Sequence, residues 1–276
     1  MPWPFDLEFM QRALLAGLAV GIAAPMIGVF LVQRRMSLFG DGIGHLAFAG
    51  VAGGLLAGIW PIWAALGVAV AGAIGIERLR LRSRVSGDLA LALFFYSGIA
   101  AGVVLAGLAG SLNAGLLSYL FGSILLVTTS EALTVALLGL VIAASILVTG
   151  RAMFAVVVDE EWARVAGLPV DLLSTFLAVL TAVAIVAAMP VVGILLVAAM
   201  MVLPVASGQM LGKSFRGTLG WSIAVGVFSV IAGLTASRAW GLAPSGSIVL
   251  ASALVFCIVL IFAGGRRGQR SVLGHV

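Results

Sequence analysis

LLSTFLAVLTAVAIVAAMPVVGILLVAAMMVLPVASGQMLG, residues 172–212, contains no aspartate, glutamate, lysine or arginine. A helix that crosses a bilayer core needs about 20 consecutive apolar residues, so this run is long enough for two spans. Similar charge-free segments occur along the rest of the chain, at 13–32, 89–130, 132–150, 217–237 and 239–265. The expected fold is therefore an all-α, polytopic membrane protein.

Composition leaves little room for a soluble domain. The 276 residues are 63% hydrophobic and only 9% charged, whereas soluble domains have about 25% charged residues. We therefore expect a single transmembrane permease domain over 1–276, and any catalytic work must be done by a partner chain. The sequence has no nucleotide-binding P-loop, no HExxH motif and no nucleophile elbow.

The basic residues indicate how the chain is oriented. Four arginines lie in ERLRLRSR, residues 77–84, and three more follow residue 265. In the predicted layout every lysine and arginine except Arg12 and Arg238 falls on one side, which marks the cytoplasm. The net charge of +5 is thus a topology signal and does not indicate a nucleic-acid partner. We expect a multi-pass membrane protein with its N-terminus outside.

The number of spans depends on how the polar boundaries are placed. Thr128 and Glu131 have capping-box spacing and predict the start of a helix that ends near Thr149 and Gly150. The preceding segment, 111–127, is short and contains Asn113, Gly115 and Gly122. It is predicted to be re-entrant or superficial, because a full span there would put Arg151 and Arg164 outside. We count nine spans, or eight if the second or third is shorter.

Two prolines interrupt the long apolar run. Pro190 is predicted to lie in the first turn of a new helix, which divides the run into spans at 172–188 and 190–211. Pro204 then falls inside the second of these helices. Broken helices of this kind mark transporter pathways, whereas the neighbouring methionines are interpreted as packing residues.

Asp41 and His45 lie four residues apart in FGDGIGHLAFAGVAGG, residues 39–54, at the edge of a predicted span. On a helix they share one face, and a carboxylate oxygen with an imidazole nitrogen suits a divalent transition metal such as zinc or manganese. The alternative is that Asp41 caps the helix and His45 packs in the core. Two ligands are also too few for a closed structural site.

DEEWARVAGLPVDL, residues 159–172, is the longest amphipathic stretch and is cytoplasmic in this layout. Three acids, Asp159, Glu160 and Glu161, stand where a short helix would begin, and Gly167 stands where it would end. The segment is either a connector at the membrane surface or a docking helix for a cytoplasmic partner. Composition does not decide between the two.

Three stretches, in this order, resemble the permease of the zinc and manganese family of ATP-binding-cassette importers, the ABC-3 group that includes the zinc-uptake permeases. They are RRMSLFGDGIGHLAFAGVA (34–52) with its G-D-x-x-x-H pattern, DEEWARVAG (159–167), and VVGILLVAAMMVLPVAS (191–207) with APSGSIVLASALVF (243–256). The resemblance covers nearly the whole chain.

The resemblance implies a helical permease similar to the vitamin B12 type, a multi-pass protein of the bacterial cytoplasmic (inner) membrane. Such a permease works as a homodimer with two ATPase subunits, which bind ATP, and with an extracellular or periplasmic metal-binding protein. No covalent cofactor is expected, and the cargo is Zn²⁺ or Mn²⁺, with zinc as the first expectation and iron as a further one.

The resemblance also assigns residues. Asp41 and His45 fall on the metal pathway, and Asp159, Glu160, Glu161, Arg164 and Gly167 fall on the coupling helix for the ATPase, within a cytoplasmic segment of about 151–171. Asn113 and Ser123 stand where family members often have acids, so neither is assigned to the metal.

Two rival functions follow from the same residues. A permease for a metal chelate or cobalamin would need a wide pathway and has little use for a bare Asp–His pair. An ion-coupled secondary carrier would need an intramembrane acid, a role that Asp41 alone could serve.

Overall fold

The computed structural model describes residues 4–82, 87–109, 114–122 and 128–272. These residues form eleven α-helices. They are α1 (Glu8–Gln33), α2 (Phe39–Leu56), α3 (Pro61–Arg82), α4 (Gly87–Leu108), α5 (Ala114–Phe121), α6 (Thr129–Val158), α7 (Glu160–Val165), α8 (Val170–Val192), α9 (Ile194–Leu211), α10 (Phe215–Trp240) and α11 (Pro244–Val272).

Eight of these helices are long and apolar enough to cross a bilayer. The other three described helices are α5, α7 and α9, of which α9 is apolar over Val197–Leu211. The all-α, multi-span fold class is thus confirmed, with eight candidate spans among the described residues. The second and third spans, whose sufficient length the sequence left open, both qualify as α2 and α3.

Three helices form the centre of the bundle. Most of α1, α2 and α8 is buried, and α8 packs against α1, α2, α3, α6 and α9. By contrast, α4, α6 and α11 are largely exposed and carry large apolar side chains on their outer faces, such as Leu93, Leu147 and Ile261. Apolar outer faces of this kind are what a lipid environment requires.

The capping box predicted before α6 is present. The Glu131 backbone N–H donates to the Thr128 hydroxyl (3.2 Å), and the Thr128 N–H donates to the Glu131 carboxylate (2.9 Å). The predicted end of the helix, near Gly150, is wrong because α6 continues to Val158. No proline or capping residue interrupts it until Asp159, whose extended backbone (φ −151°, ψ 102°) ends the helix.

The break in the long apolar run lies at Gly193 and not at Pro190. Pro190 lies in the last turn of α8, where a proline costs one backbone hydrogen bond but does not end the helix. The chain turns at Gly193 (φ +79°), a conformation that other residues rarely adopt. The prediction for Pro190 is therefore wrong by three residues, whereas Pro204 lies inside α9 as expected.

The short helix α5 packs against this break. A Cβ atom at Gly193 would overlap the backbone of Phe121 and Gly122, and the Ser245 hydroxyl donates to the Phe121 carbonyl. With eight residues α5 is about 12 Å long, too short to span a membrane. The described part of 111–127, residues 114–122, therefore does not form a span by itself.

Parts of that segment, including Asn113 and Ser123, lie outside the described residues.

Candidate functional site

A tight turn of five residues, 34–38, leads from α1 into α2. Arg35 adopts a left-handed conformation (φ +59°), which is uncommon for a residue other than glycine. The Met36 N–H donates to the Leu31 carbonyl (2.9 Å), and the Phe39 N–H donates to the Met36 carbonyl (3.0 Å). The beginning of α2 is therefore fixed closely to the end of α1.

Asp41 lies in the first turn of α2 and is half-buried. The residue in the N-cap position is Leu38, and no side chain caps this helix. An acid in the first turn is favoured by the helix dipole, but among the described residues the Asp41 carboxylate makes no hydrogen bond or ion pair. Capping by the Asp41 side chain, the alternative to metal binding, is therefore not seen.

His45 follows one turn later on the same face of α2 and is also half-buried. Its imidazole lies edge-on to the ring of Phe95 on α4, with centroids 4.7 Å apart and planes at 78°. Neither ring nitrogen has a hydrogen-bond partner among the described residues. His45 is thus not the hydrogen-bonded core histidine that the alternative interpretation requires.

Small residues bring two other helices close to this part of α2. A Cβ atom at Gly98 of α4 would lie 2.9 Å from the backbone nitrogen of Leu46, so the two backbones are almost in contact. The Ile194 side chain of α9 also packs against α2, because its Cγ2 atom lies 3.3 Å from where a Cβ atom at Gly44 would be. Because Ile194 follows the break at Gly193, the break and the Asp41–His45 pair lie at one level of the bundle.

The pair alone cannot enclose a metal ion. Among the residues that the structure describes, no group of three or more His, Cys, Asp or Glu side chains is placed to hold one. Structural zinc sites have four protein ligands, so a cation at Asp41 and His45 would complete its coordination with water or with groups outside this set. Such an open arrangement suits a site from which the ion must leave.

The predicted cytoplasmic helix is present as α7. The Asp159 carboxylate caps it by accepting a hydrogen bond from the Trp162 N–H (2.9 Å), and Glu160 and Glu161 lie in its first turn. Gly167, with φ +81°, ends the segment. The local structure expected for Asp159 to Gly167 is thus confirmed.

One side of α7 is attached to the bundle and the other is exposed. Arg164 donates to Asp171 on α8 (2.8 Å) and also contacts Glu160 (3.5 Å). The hydrogen bond and charge of Asp171 raise the pKa of Arg164 above its ordinary value. Trp162 and Val165 are 62% and 88% exposed, so this short helix presents an apolar surface away from the bundle.

A buried cluster of charges beside α7 was missed by the sequence analysis. The Arg34 guanidinium, at the end of α1, donates to the Ser174 hydroxyl (2.7 Å) and lies 3.7 Å from the Glu160 carboxylate. Nearby, Glu77 is only 1% exposed and accepts two hydrogen bonds from Arg80 (3.1 and 2.7 Å). The one signal in the sequence is the i, i+3 spacing of Glu77 and Arg80. It lies within the arginine-rich stretch 77–84, which indicates only the cytoplasmic side.

Eight candidate membrane spans, with an acid and an imidazole at the edge of one of them and no hydrogen-bond partner for either among the described residues, fit a membrane transport protein. The chain belongs to the ABC 3 transport family, which matches residues 6–263. This confirms the resemblance found in the sequence and is not compatible with an ion-coupled secondary carrier.

Relatives of known name cover almost all of the chain. It is 28% identical to the high-affinity zinc uptake system membrane protein ZnuB of Haemophilus influenzae, over 92% of this chain and 97% of that protein. It is 31% identical to the manganese transport system membrane protein MntC of Listeria monocytogenes, over 93% and 91%. The structure of PsaBC from Streptococcus pneumoniae in complex with Fab is similar with a TM-score of 0.83, at 30% identity, covering 92% of each chain.

Proposed function

We propose that this chain is the permease of an ATP-driven importer of divalent metal ions, with Zn²⁺ or Mn²⁺ as cargo. The observation that carries the proposal is the placement of Asp41 and His45 on one face of α2, half-buried and without hydrogen-bond or ion-pair partners among the described residues. A carboxylate and an imidazole in such a position are available to a passing cation.

The choice between zinc and manganese is not made by these two ligands. Carboxylate and imidazole groups bind both ions, and iron as well. The relatives divide in the same way, since one is named for zinc uptake and another for manganese transport. We place zinc first, and we assign the choice of metal mainly to the binding protein that delivers the ion.

A second copy of the chain completes the pathway. Two protein ligands leave most of the coordination shell of a cation unfilled, and the described part of one chain contains no third ligand beside them. In a homodimer each chain contributes its own Asp41 and His45, so that four donors face one pathway. This arrangement would hold the ion without enclosing it.

The remaining partners lie on the two sides of the membrane. ATPase subunits bind the exposed surface of α7 around Trp162 and Val165, with Glu161 beside them. ATP is bound and hydrolysed by those subunits, because this chain has no nucleotide-binding motif. On the outer side, an extracellular or periplasmic metal-binding protein supplies the cation.

Uptake of labelled zinc and manganese, in cells that lack the chain and regain it, tests the proposal. Restored uptake of either ion supports it, and restored uptake of neither overturns it. Unlabelled cobalamin and a preformed metal chelate are added as competitors, since competition by either would indicate a chelate permease instead. Asp88→Asn serves as a matched control for Asp41→Asn, because Asp88 is an exposed acid in the first turn of α4.

A further inference from the structure

The side chain of Arg34 connects three helices, α1, α7 and α8. Its guanidinium lies at the end of α1, binds Ser174 on α8 and faces Glu160 on α7. The side chain is only 7% exposed, whereas Glu160 is 37% exposed. An almost fully buried arginine is therefore held between the docking helix and the body of the permease.

The pKa of Arg34 lies below its ordinary value, because burial outweighs the effect of the neighbouring acids. Burial lowers the pKa of Arg34, as does the positive charge of Arg80, whereas the negative charges of Glu77 and Glu160 raise it. A buried charge needs partners to offset the loss of hydration. Glu160 is the partner that belongs to α7, so movement of α7 changes the balance at Arg34.

Only a short turn separates Arg34 from the helix that bears the candidate metal ligands. Arg34 caps the C-terminus of α1, and α2 starts at Phe39 after the turn in which Arg35 is left-handed. Asp41 follows in the first turn of α2. A displacement of Arg34 would therefore be carried directly into the part of α2 that bears the pair.

We propose that Arg34 is a positioning residue that links the docking helix α7 to α2, so that movement of α7 reaches the Asp41–His45 pair. The inference rests on the proposed function for the roles of these two helices. The Arg34–Glu160 contact transmits the movement, and the hydrogen bond to Ser174 keeps the guanidinium in place while the bridge forms and breaks.

Two readouts on the purified permease–ATPase complex test this link. The first is metal uptake per ATP hydrolysed in proteoliposomes. The second is the rate at which an impermeant thiol reagent labels Leu56→Cys, at the far end of α2 and 45% exposed, with and without ATP plus vanadate. The background is Cys257→Ala, since Cys257 is the single natural cysteine and is exposed.

Arg34→Gln and Glu160→Gln should each lower uptake per ATP by about tenfold, the size of a typical coupling between two sites. Each should also abolish the ATP-dependent change in labelling, and the double variant should be no worse than either single. Arg35→Gln is the matched control because it removes the same charge from the adjacent, exposed residue. It should leave both readouts unchanged.

Outcomes that contradict the inference are distinct from those that contradict the proposed function. If wild-type complex imports neither metal but its labelling still responds to ATP, the proposed function fails and the link stands. If labelling does not respond in wild type, or responds normally in Glu160→Gln with the complex intact, the link is overturned. Glu160 is partly exposed, so this variant decides the matter even if Arg34→Gln fails to fold.

Discussion

The imidazole of His45 on α2 makes an edge-to-face contact with the ring of Phe95 on α4, with 4.7 Å between centroids. This contact orients the ring without using either nitrogen. A packing role and a metal-binding role for His45 can therefore be separated, because Phe95 contributes only to packing.

Asp41→Asn and His45→Ala should each lower metal uptake per folded permease by about tenfold, equivalent to about 1.4 kcal/mol of binding. One remaining ligand cannot replace the lost hydration of the ion, so the double variant should be little worse than either single. Phe95→Leu keeps both ligands and should retain most uptake. Near-normal uptake in stable Asp41→Asn would contradict the metal site, as would losses that simply add.

Acid should weaken uptake through the same site. A protonated imidazole cannot bind a metal ion, and an ordinary histidine has a pKa of about 6.5. Binding that needs the neutral ring is therefore present at higher pH and is lost as the pH falls. We expect wild-type uptake to decline in acid and the remaining uptake of His45→Ala to depend less on pH. Equal pH profiles for the two would argue against His45 as a ligand.

Docking of the ATPase on α7 predicts the effect of two surface changes. Trp162→Ala removes the largest exposed apolar side chain of α7, and Glu161→Lys reverses an exposed charge. Both should reduce co-purification of the ATPase and uptake, while the amount of permease in the membrane stays the same. Asp88→Lys, a charge reversal predicted to lie on the same side of the membrane, should not. If both α7 variants still co-purify with the ATPase in normal amounts, α7 is not the docking site.

Thiol labelling in intact cells checks the orientation. In a Cys257→Ala background, a cysteine replacing Trp240, the last residue of α10, should react with an impermeant reagent from outside. Cysteines replacing Arg82 or Gly268 should react only after the membrane is opened. Labelling of position 82 in intact cells would show that the orientation is the reverse of the one predicted.

The break between α8 and α9 should depend on Gly193 and not on Pro190. Gly193→Ala forces a side chain into a left-handed backbone and against Phe121, and we expect a loss of roughly 1–3 kcal/mol of stability. Pro190→Ala should be milder, because the helix already runs through that position. Gly107→Ala, with open space around it, is the control. Thermal unfolding in detergent measures all three, and a larger loss in Pro190→Ala would contradict this assignment.

Signals that act within a few residues were predictable from the sequence. The charge-free segments became apolar helices, Thr128 and Glu131 formed their capping box, and Asp159 capped the short helix α7. Each depends on helical spacing or on one turn of backbone, which a sequence pattern represents directly. The helical setting of Asp41 and His45 could be predicted for the same reason.

Features that depend on distant packing could not be predicted. The break lies at Gly193 because α5 approaches it there, and no local pattern distinguishes that glycine from the proline three residues earlier. The bond between Arg34 and Ser174 joins residues 140 positions apart. The burial of Glu77 was hidden in the same way, since its arginine-rich surroundings indicate only the side of the membrane.

The two faces of α7 would be under different selective constraints if the ATPase docks there as proposed. Trp162 and Val165 are exposed and could then diverge together with the ATPase. Glu160, on the same helix, faces the buried Arg34 and cannot change sign without a compensating change there. Related permeases could therefore become specific for different ATPases by changes at Trp162 and Val165, while Glu160 stays the same.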